Sequence, residues 1–405
     1  MRLTFVVQRY WPAVGGVESF ARVLVRGLGE RHRVRVLCRT TDMQHMNVLS
    51  GALLPMPAFD RFHDGPVDVE QLRVSPSQRL LTLPLLLQLL PGIGPVRGIG
   101  WWRPVAFPVG RLHAAALAPQ LEPACRDADV VHMLGSGLLA HAVARACRVT
   151  RTPFVITPSA HRAQWGQDHL SRAAYRSASR VLALLQPDVE LYASFGVAHE
   201  RILVCGAACP AIELGDGPAL RRRRGIEGPL VLYLGRRAAY KGVDVLLDAA
   251  GVIAACRPDV TFAFVGPGPA LPERRPANVL DVGPVSDAER ASWLRAATLL
   301  ALPSSNETYG LCLLEAWSTG TPVVTSDIPV LRFLVERGGG GVWCRAEASA
   351  LGRAILDLLD DPERLRLLGQ AGHEFWRRHA SVDSFVAWHE RLYRAIASDR
   401  TADPV

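Results

Sequence analysis

The stretch Leu230-Val231-Leu232-Tyr233-Leu234-Gly235-Arg236-Arg237-Ala238-Ala239-Tyr240-Lys241-Gly242 reads as a buried strand running into a glycine-bounded basic loop. Five consecutive apolar residues without alternation fit a strand covered on both faces, the pattern of a parallel sheet. Of the 46 basic residues in the chain, 45 are arginine, and the one lysine is Lys241. A compact ammonium on a flexible stem meets phosphate as a point charge, which a planar guanidinium does not imitate. Lys241 with Arg236 therefore reads as a phosphate clamp, the plainer alternative being a surface lysine left by chance.

A second stretch carries the complementary chemistry. Glu307-Thr308-Tyr309-Gly310-Leu311-Cys312-Leu313-Leu314-Glu315 follows the apolar run 299–302. The spacing predicts a turn at Gly310, a helix from near Leu311, Glu307 in the strand-to-helix loop and Glu315 about one turn into the helix. Backbone N–H groups of Tyr309, Gly310 and Leu311 would then face an anion lying between the two carboxylates. Acceptors flanking donors suit a ligand with sugar hydroxyls at its ends and a diphosphate in its middle. The plainer reading makes Glu307 a solvated loop acid and Glu315 a helix-surface acid.

Outward from these stretches the chain alternates short apolar runs with amphipathic segments, the signature of βα units. Strands are expected at 3–7, 34–37, 130–132, 154–157, 181–184 and 202–204, then at 230–234, 261–265, 279–282, 299–302 and 323–325. Phe20, Leu24, Val25 and Leu28 recur at helical spacing before Gly29, and Phe385, Trp388, Leu392 and Ile396 do so near the end. Ser286-Asp287-Ala288-Glu289 is a capping box for a helix carrying Trp293 and Leu294. At 405 residues two domains are expected. The composition shift at 209–228, with Pro210, Gly215, Gly217, Pro218 and the run Arg221 to Arg224, reads as the linker, its arginines forming a solvated face.

Composition narrows the function classes. The 49% hydrophobic and 21% charged fractions fit a soluble globular protein, and eight scattered cysteines read as reduced thiols in a cytoplasmic one. Residues 1–7 read as a buried strand instead of a signal peptide, and the apolar region 80–110 is cut by too many prolines to span a membrane. Net charge is +9 over residues 1–205, with 23 arginines against 14 acids, and −1 over 206–405. Such a basic half can draw the protein to an anionic membrane surface or an acidic acceptor, although dispersed arginines also simply solubilise. Nucleic acid is not expected, since no motif interleaves the arginines with aromatics. A nicotinamide dehydrogenase is disfavoured because no GxGxxG opens the first βα unit.

A third motif completes a resemblance. Gly15-Gly16-Val17-Glu18 follows Tyr10-Trp11-Pro12. With Gly235-Arg236 through Lys241-Gly242 and the E-x7-E pair of Glu307 and Glu315, the chain resembles the retaining glycosyltransferases of family 4 over nearly its whole length. The resemblance implies an α/β GT-B fold, two Rossmann-like domains facing a central cleft, with a C-terminal helix crossing back to the N-terminal domain. Domains are accordingly expected at 1–208 (acceptor) and 229–382 (nucleotide-sugar donor), joined by 209–228 and followed by the crossing helix 383–400.

The resemblance also implies roles. Arg236 and Lys241 would neutralise the leaving diphosphate, Glu307 would bind donor-sugar hydroxyls, and Glu315 the ribose. Gly15, Gly16, Gly266, Val282, Gly283, Tyr309, Gly310 and Leu311 would line the donor. His161 would lie beside the transferred sugar, with His132 as competitor. Glu18, Trp101 and Trp102 are expected on the acceptor side, the tryptophans in a segment that either meets a membrane surface or packs as a buried loop. The expected donor is a UDP- or GDP-sugar and the acceptor a glycan or lipid-linked hydroxyl. No cofactor and no metal are expected, and Asp127-Ala128-Asp129 reads as polarity at a strand start instead of a metal-binding DxD.

Two departures stand out. Val204-Cys205-Gly206-Ala207-Ala208-Cys209 lacks the asparagine of the family's loop, and Arg237 beside Arg236 leaves open which guanidinium reaches phosphate. A GT-B nucleotide-sugar epimerase, or a catalytically silent sugar-nucleotide binding protein, would use the same motifs.

Overall fold

Strands form where apolar runs are long enough to be covered on both faces, and they assemble into two separate sheets. The computed structural model describes residues 1–13, 15–41, 58–74, 99–160, 166–212 and 215–399. Internal contacts divide the chain into one unit of residues 1–206 together with the residues from Phe385 onward, and a second unit, Ala207–Ser384.

The first unit holds β1 (Arg2–Arg9), β2 (Arg33–Thr40), β3 (Phe62–Asp64), β4 (Val67–Gln71), β5 (Val130–Leu134), β6 (Phe154–Thr157), β7 (Arg180–Ala183) and β8 (Ile202–Val204). Among the described residues their order is β3-β4-β2-β1-β5-β6-β7-β8, all parallel except β3 against β4. Phe5 pairs with Val36 on one side and His132 on the other. The winding reverses between β1 and β5, and the Gly15-Gly16 turn follows β1 there. Helix Gly16–Gly29 buries Phe20, Ala21, Leu24, Val25 and Leu28, the face expected from their spacing. Fully burying one such leucine contributes about 1.5–3 kcal/mol.

Helix Val382–Asp399 joins this unit from Phe385 onward. Of the expected stripe Phe385, Trp388, Leu392 and Ile396, only Phe385 and Ile396 are buried, and Val386, His389, Glu390 and Tyr393 complete the buried face. The face is rotated because its polar members find partners inside. Glu390 accepts from Arg31 at 2.9 Å and pairs with His32 Nε2 at 3.0 Å, and the Tyr393 hydroxyl meets His132 Nδ1 at 2.6 Å.

The second unit holds β9 (Leu230–Leu234), β10 (Thr261–Val265), β11 (Val279–Gly283), β12 (Leu299–Leu302), β13 (Val323–Ser326) and β14 (Gly341–Cys344), in the order β11-β10-β9-β12-β13-β14 among the described residues. Every neighbouring pair is parallel. Its core is built from Val231, Tyr233, Phe262, Phe264, Leu299 and Val324 on the strands with Leu246, Ala249 and Ile253 of helix Val243–Cys256. The winding starts at β9, runs out through β10 to β11, and resumes on the other side at β12. In such sheets ligands bind outside the carboxyl ends of the strands at this reversal.

Three readings change. The stretch taken as a linker, 209–228, belongs to the second unit and contains helix Gly217–Arg224, with Asp216 accepting from Ala219 N at 2.8 Å as its cap. Arg221, expected on a solvated face, is a clamp: it donates to Ala296 O and Gly228 O at 2.8 Å each and to Thr298 Oγ1 at 3.1 Å. The edge strands β3, β4 and β14 were not expected, since short runs with interspersed charges or glycine lack a strong period.

Of the region 80–110, residues 80–98 lie outside the described ones, and helix Ile99–Arg126 begins at its end, running through Pro104, Pro108, Pro119 and Pro123. No helix among the described residues is long and apolar enough to cross a membrane.

Candidate active site

The carboxyl ends of β9, β10, β11 and β12 supply the sequence-predicted residues of the second unit. β9 runs straight into Gly235 and Arg236, then a short turn, Ala239–Lys241, before helix Val243–Cys256. Lys241 Nζ reaches Glu307 Oε1 at 2.6 Å, and Ser304 Oγ donates to the same oxygen at 2.9 Å. The pair is well covered, with side chains 18% and 7% exposed. Burial pulls the ammonium of Lys241 down, but Glu307, followed by smaller effects of Cys312 and Tyr240, lifts it above its ordinary value. Lys241 is therefore charged at neutral pH. An ammonium has three N–H donors, so the contact with Glu307 leaves capacity for an anion.

Packing distinguishes the two arginines. Arg237 is buried, pairs with Asp281 Oδ1 at 2.6 Å and donates to Phe264 O at 2.8 Å. It ties β9 to β10 and β11. Arg236 is exposed, and among the described residues its guanidinium has no ion pair or hydrogen bond.

The glycines at these strand ends let backbones approach each other. Gly235 N–H donates to Val265 O at 3.0 Å and Gly266 N–H to Gly283 O at 2.8 Å. At Gly266, φ is +134° and a Cβ would collide with the Gly235 carbonyl, so no other residue fits. Val282 and Gly283 end β11 beside it.

Beyond β12, Gly310 turns the chain at φ +81° and helix Leu311–Ser318 begins as expected. The Leu313 N–H folds back to Gly310 O at 2.9 Å, while Tyr309 is buried just before the turn. The earliest N–H groups of a helix lack intrahelical partners, which makes its start an anion-binding end. Glu315 lies one turn in, its side chain 17% exposed, and pairs with Arg290. Burial pushes its carboxyl up and Arg290 offsets only part of that, leaving it above the ordinary carboxylate value. Burial, then the nearby Glu307, pushes the Cys312 thiol up to about 12, with Lys241 opposing and Glu315 adding to the effect.

Sequence reading missed Ser304 and Arg290. Ser304 follows β12 with only Pro303 between, and its one signal was that position. Arg290 sits four residues after the cap Ser286, whose Oγ accepts from Glu289 N at 3.2 Å.

In the first unit, Gly15 caps helix Gly16–Gly29 in an extended conformation, and a Cβ there would collide with the Glu18 carboxylate. Glu18, expected on the acceptor side, is 4% exposed and held by Arg9 at 2.7 Å, so its charge is spent inside the turn. His132 is a core residue: Nδ1 meets the Tyr393 hydroxyl and Nε2 meets Thr157 Oγ1 at 2.8 Å. Burial, then the neighbouring His389, drives it well below the usual histidine range. With both ring nitrogens engaged it has none for a ligand, so His132 is a structural histidine of the core and not a partner of the transferred sugar. His161 lies outside the described residues, as do the side chains of Trp101 and Trp102. Asp127 and Asp129 are bound to Arg2 at 3.0 and 3.1 Å, with Arg35 3.6 Å from Asp127.

Two family models match this chain: "Glycosyl transferase 4-like domain" over residues 15–208 and "Glycosyl transferases group 1" over 228–361. The chain belongs to the family 4-like, group 1 glycosyltransferases. Among curated relatives of this family, D-inositol 3-phosphate glycosyltransferase 1 of Catenulispora acidiphila is 33% identical over 257 residues, 57% of this chain and 59% of that one. Phosphatidyl-myo-inositol mannosyltransferase of Propionibacterium freudenreichii is 35% identical over 164 residues, 38% and 42% of the two chains. The chain thus spans about half the length of the curated relatives it matches. Among solved structures, Anabaena HepE in complex with UDP is similar at TM-score 0.68 and 19% identity, covering 98% of this chain and 100% of that one. Sucrose-phosphate synthase of Thermosynechococcus elongatus is similar at TM-score 0.69 and 18% identity, with the same coverage. The fold is GT-B.

Proposed function

We propose that this chain is a retaining glycosyltransferase that moves a hexose-type sugar from a UDP- or GDP-linked donor to an acceptor hydroxyl on a glycan or lipid-linked molecule. The observation that carries the reading is the Lys241–Glu307 pair at the winding reversal of the second sheet, with the exposed Arg236 on the same loop. Departure of a nucleoside diphosphate accelerates when its developing charge meets fixed positive groups that bind it more tightly in the transition state than in the ground state. Lys241, Arg236 and the start of helix Leu311–Ser318 are groups of that kind, and they work without a divalent ion. Glu307 accepts from donor-sugar hydroxyls while Lys241 holds its carboxylate in place, and Glu315 accepts from the ribose. Gly266, Val282 and Gly283 flank the nucleoside.

Among the described residues no side chain at this edge is an obvious nucleophile, and front-face attack is the mechanism we propose. The acceptor oxygen bonds to the anomeric carbon as the bond to the diphosphate oxygen breaks, and that oxygen takes the acceptor proton. Gly15, Gly16 and His161 are assigned to the donor on the family resemblance alone. The relatives named for inositol 3-phosphate and phosphatidyl-myo-inositol support a phosphorylated or lipid-linked acceptor, and HepE, of the same fold, was crystallised with UDP. A cytoplasmic protein meeting the inner membrane face fits the +9 charge of residues 1–205.

Thermal-shift titration with UDP, GDP, ADP and their sugars, in EDTA, tests the donor and the metal independence together. Stabilisation by one nucleotide and its sugar is expected. Product analysis with and without added acceptor follows: a new anomer-retained glycoside only with acceptor supports transfer, and conversion of the donor sugar without acceptor would replace it with epimerisation.

A further inference from the structure

Glu315 stands where its own charge is opposed. The helix that carries it turns Leu313, Leu314, Ala316 and Trp317 into the core, and the Glu315 side chain is itself only 17% exposed. Arg290 is the cation that answers it. The Arg290 backbone N–H donates to Ser286 O at 2.8 Å in the first turn of the capped helix Asp287–Ala296, which sets where the side chain starts, and Nη2 lies 3.2 Å from the exposed carboxylate of Asp287. A rigid helix thus aims one cation at one buried carboxylate.

Reading a vicinal diol makes specific demands on a carboxylate. A bidentate contact uses both oxygens as acceptors, one for each donating hydroxyl of the pair. A carboxyl that protonates turns one oxygen into a donor, and one that rotates loses the second contact. We propose that Arg290 is a positioning residue that orients the Glu315 carboxylate to accept from both ribose hydroxyls, making this chain selective for ribonucleotides over 2′-deoxyribonucleotides. The inference rests on the reading of Glu315 as the ribose-binding residue. It assigns to Arg290 no contact with the nucleotide itself.

The test is isothermal titration calorimetry on the full chain with UDP, GDP, 2′-deoxy-UDP and 2′-deoxy-GDP. For the nucleobase that binds, the wild-type protein prefers the ribose form by about tenfold or more, the scale of a hydrogen bond to a charged group. Arg290→Gln brings that ratio to within about twofold while leaving the affinity for the deoxy form nearly unchanged. Arg290→Lys, which keeps a cation on Glu315, retains a clear preference. A merely structural role would weaken both forms equally. An Arg290→Gln variant with the wild-type ratio overturns the inference, as does a wild-type protein that binds both forms alike. A wild-type protein that binds none of the four overturns the donor-site reading and this inference with it.

Discussion

Lys241 Nζ lies 2.6 Å from Glu307 Oε1, and the two residues reach each other from the carboxyl ends of β9 and β12, the adjacent strands between which the second sheet reverses its winding. Sixty-six residues separate them in the chain. The crossover through β10 and β11 intervenes, so the pair exists only because the sheet closes around that reversal.

Replacement of Lys241 by alanine should therefore act on chemistry more than on folding. Ser304 still donates to Glu307 in the variant, and the loop keeps its backbone bonds, Lys241 N–H to Ala238 O among them. Turnover at saturating donor is expected to fall about 10²–10³-fold. Circular dichroism should be unchanged; a variant turning over within twofold of wild type would remove Lys241 from the mechanism.

Gly310→Ala probes the helix start. At φ +81° a side chain is strained, and its Cβ would lie 2.9 Å from Leu331 Cδ2. The expected loss is about 1–2 kcal/mol of stability. Because the strain is relieved by moving the first turn of the helix, nucleotide affinity should fall too. Chemical denaturation and titration of the same preparation report the two effects.

Asp64 anchors the loop after β1 in the first unit. Its carboxylate accepts from Arg22 at 3.0 and 3.1 Å and from the Tyr10 hydroxyl at 2.9 Å. Burial works to raise its carboxyl, and Arg22 and Tyr10 outweigh burial, leaving it below the usual range. A carboxyl lowered on folding stabilises above its unfolded value near 3.8 and loses that contribution as pH falls through the folded value. Asp64→Asn should cost about 1–3 kcal/mol at neutral pH, since Arg22 is left without its counter-charge. The deficit should shrink as pH drops below 4, which denaturation midpoints at pH 7 and pH 3 will report.

The buried histidines work in the opposite range. Burial lowers His389 to about 4, and His132 well below 6.5. Between those values and 6.5 the unfolded chain binds protons that the folded one refuses, so stability is full above 6.5 and declines as pH falls toward 4. Each histidine contributes a slope of up to about 1.4 kcal/mol per pH unit there. His389→Leu should flatten part of that decline between pH 6.5 and 5. Unaltered slopes would mean that His389 titrates normally in the fold.

Much of this architecture was legible in local pattern. The run 230–234 is apolar at every position, so it forms a covered strand wherever it sits, and the spacing of Phe20, Leu24, Val25 and Leu28 produced the helix face it implies. Gly310 and the following apolar run set a turn and a helix start by backbone sterics alone.

Other elements depended on partners distant in sequence. The buried face of helix Val382–Asp399 includes His389, Glu390 and Tyr393, polar residues that hydrophobic periodicity places outside; Arg31, His32 and His132 draw Glu390 and Tyr393 inward, while His389 satisfies Nδ1 on the carbonyl of Phe385. Arg236 and Arg237 are chemically identical in sequence. Only the presence of Asp281 and the Phe264 carbonyl beneath the sheet edge decides that Arg237 is structural and Arg236 is open.

The sequence by itself determined the strand and helix periods, the glycine turns and the residue types able to meet a diphosphate sugar, because these follow from backbone sterics and side-chain chemistry within a few residues. The tertiary structure alone decided which charges are neutralised and which remain available. Pairing energy depends on burial and on distances across the sheet, and neither quantity is written along the chain.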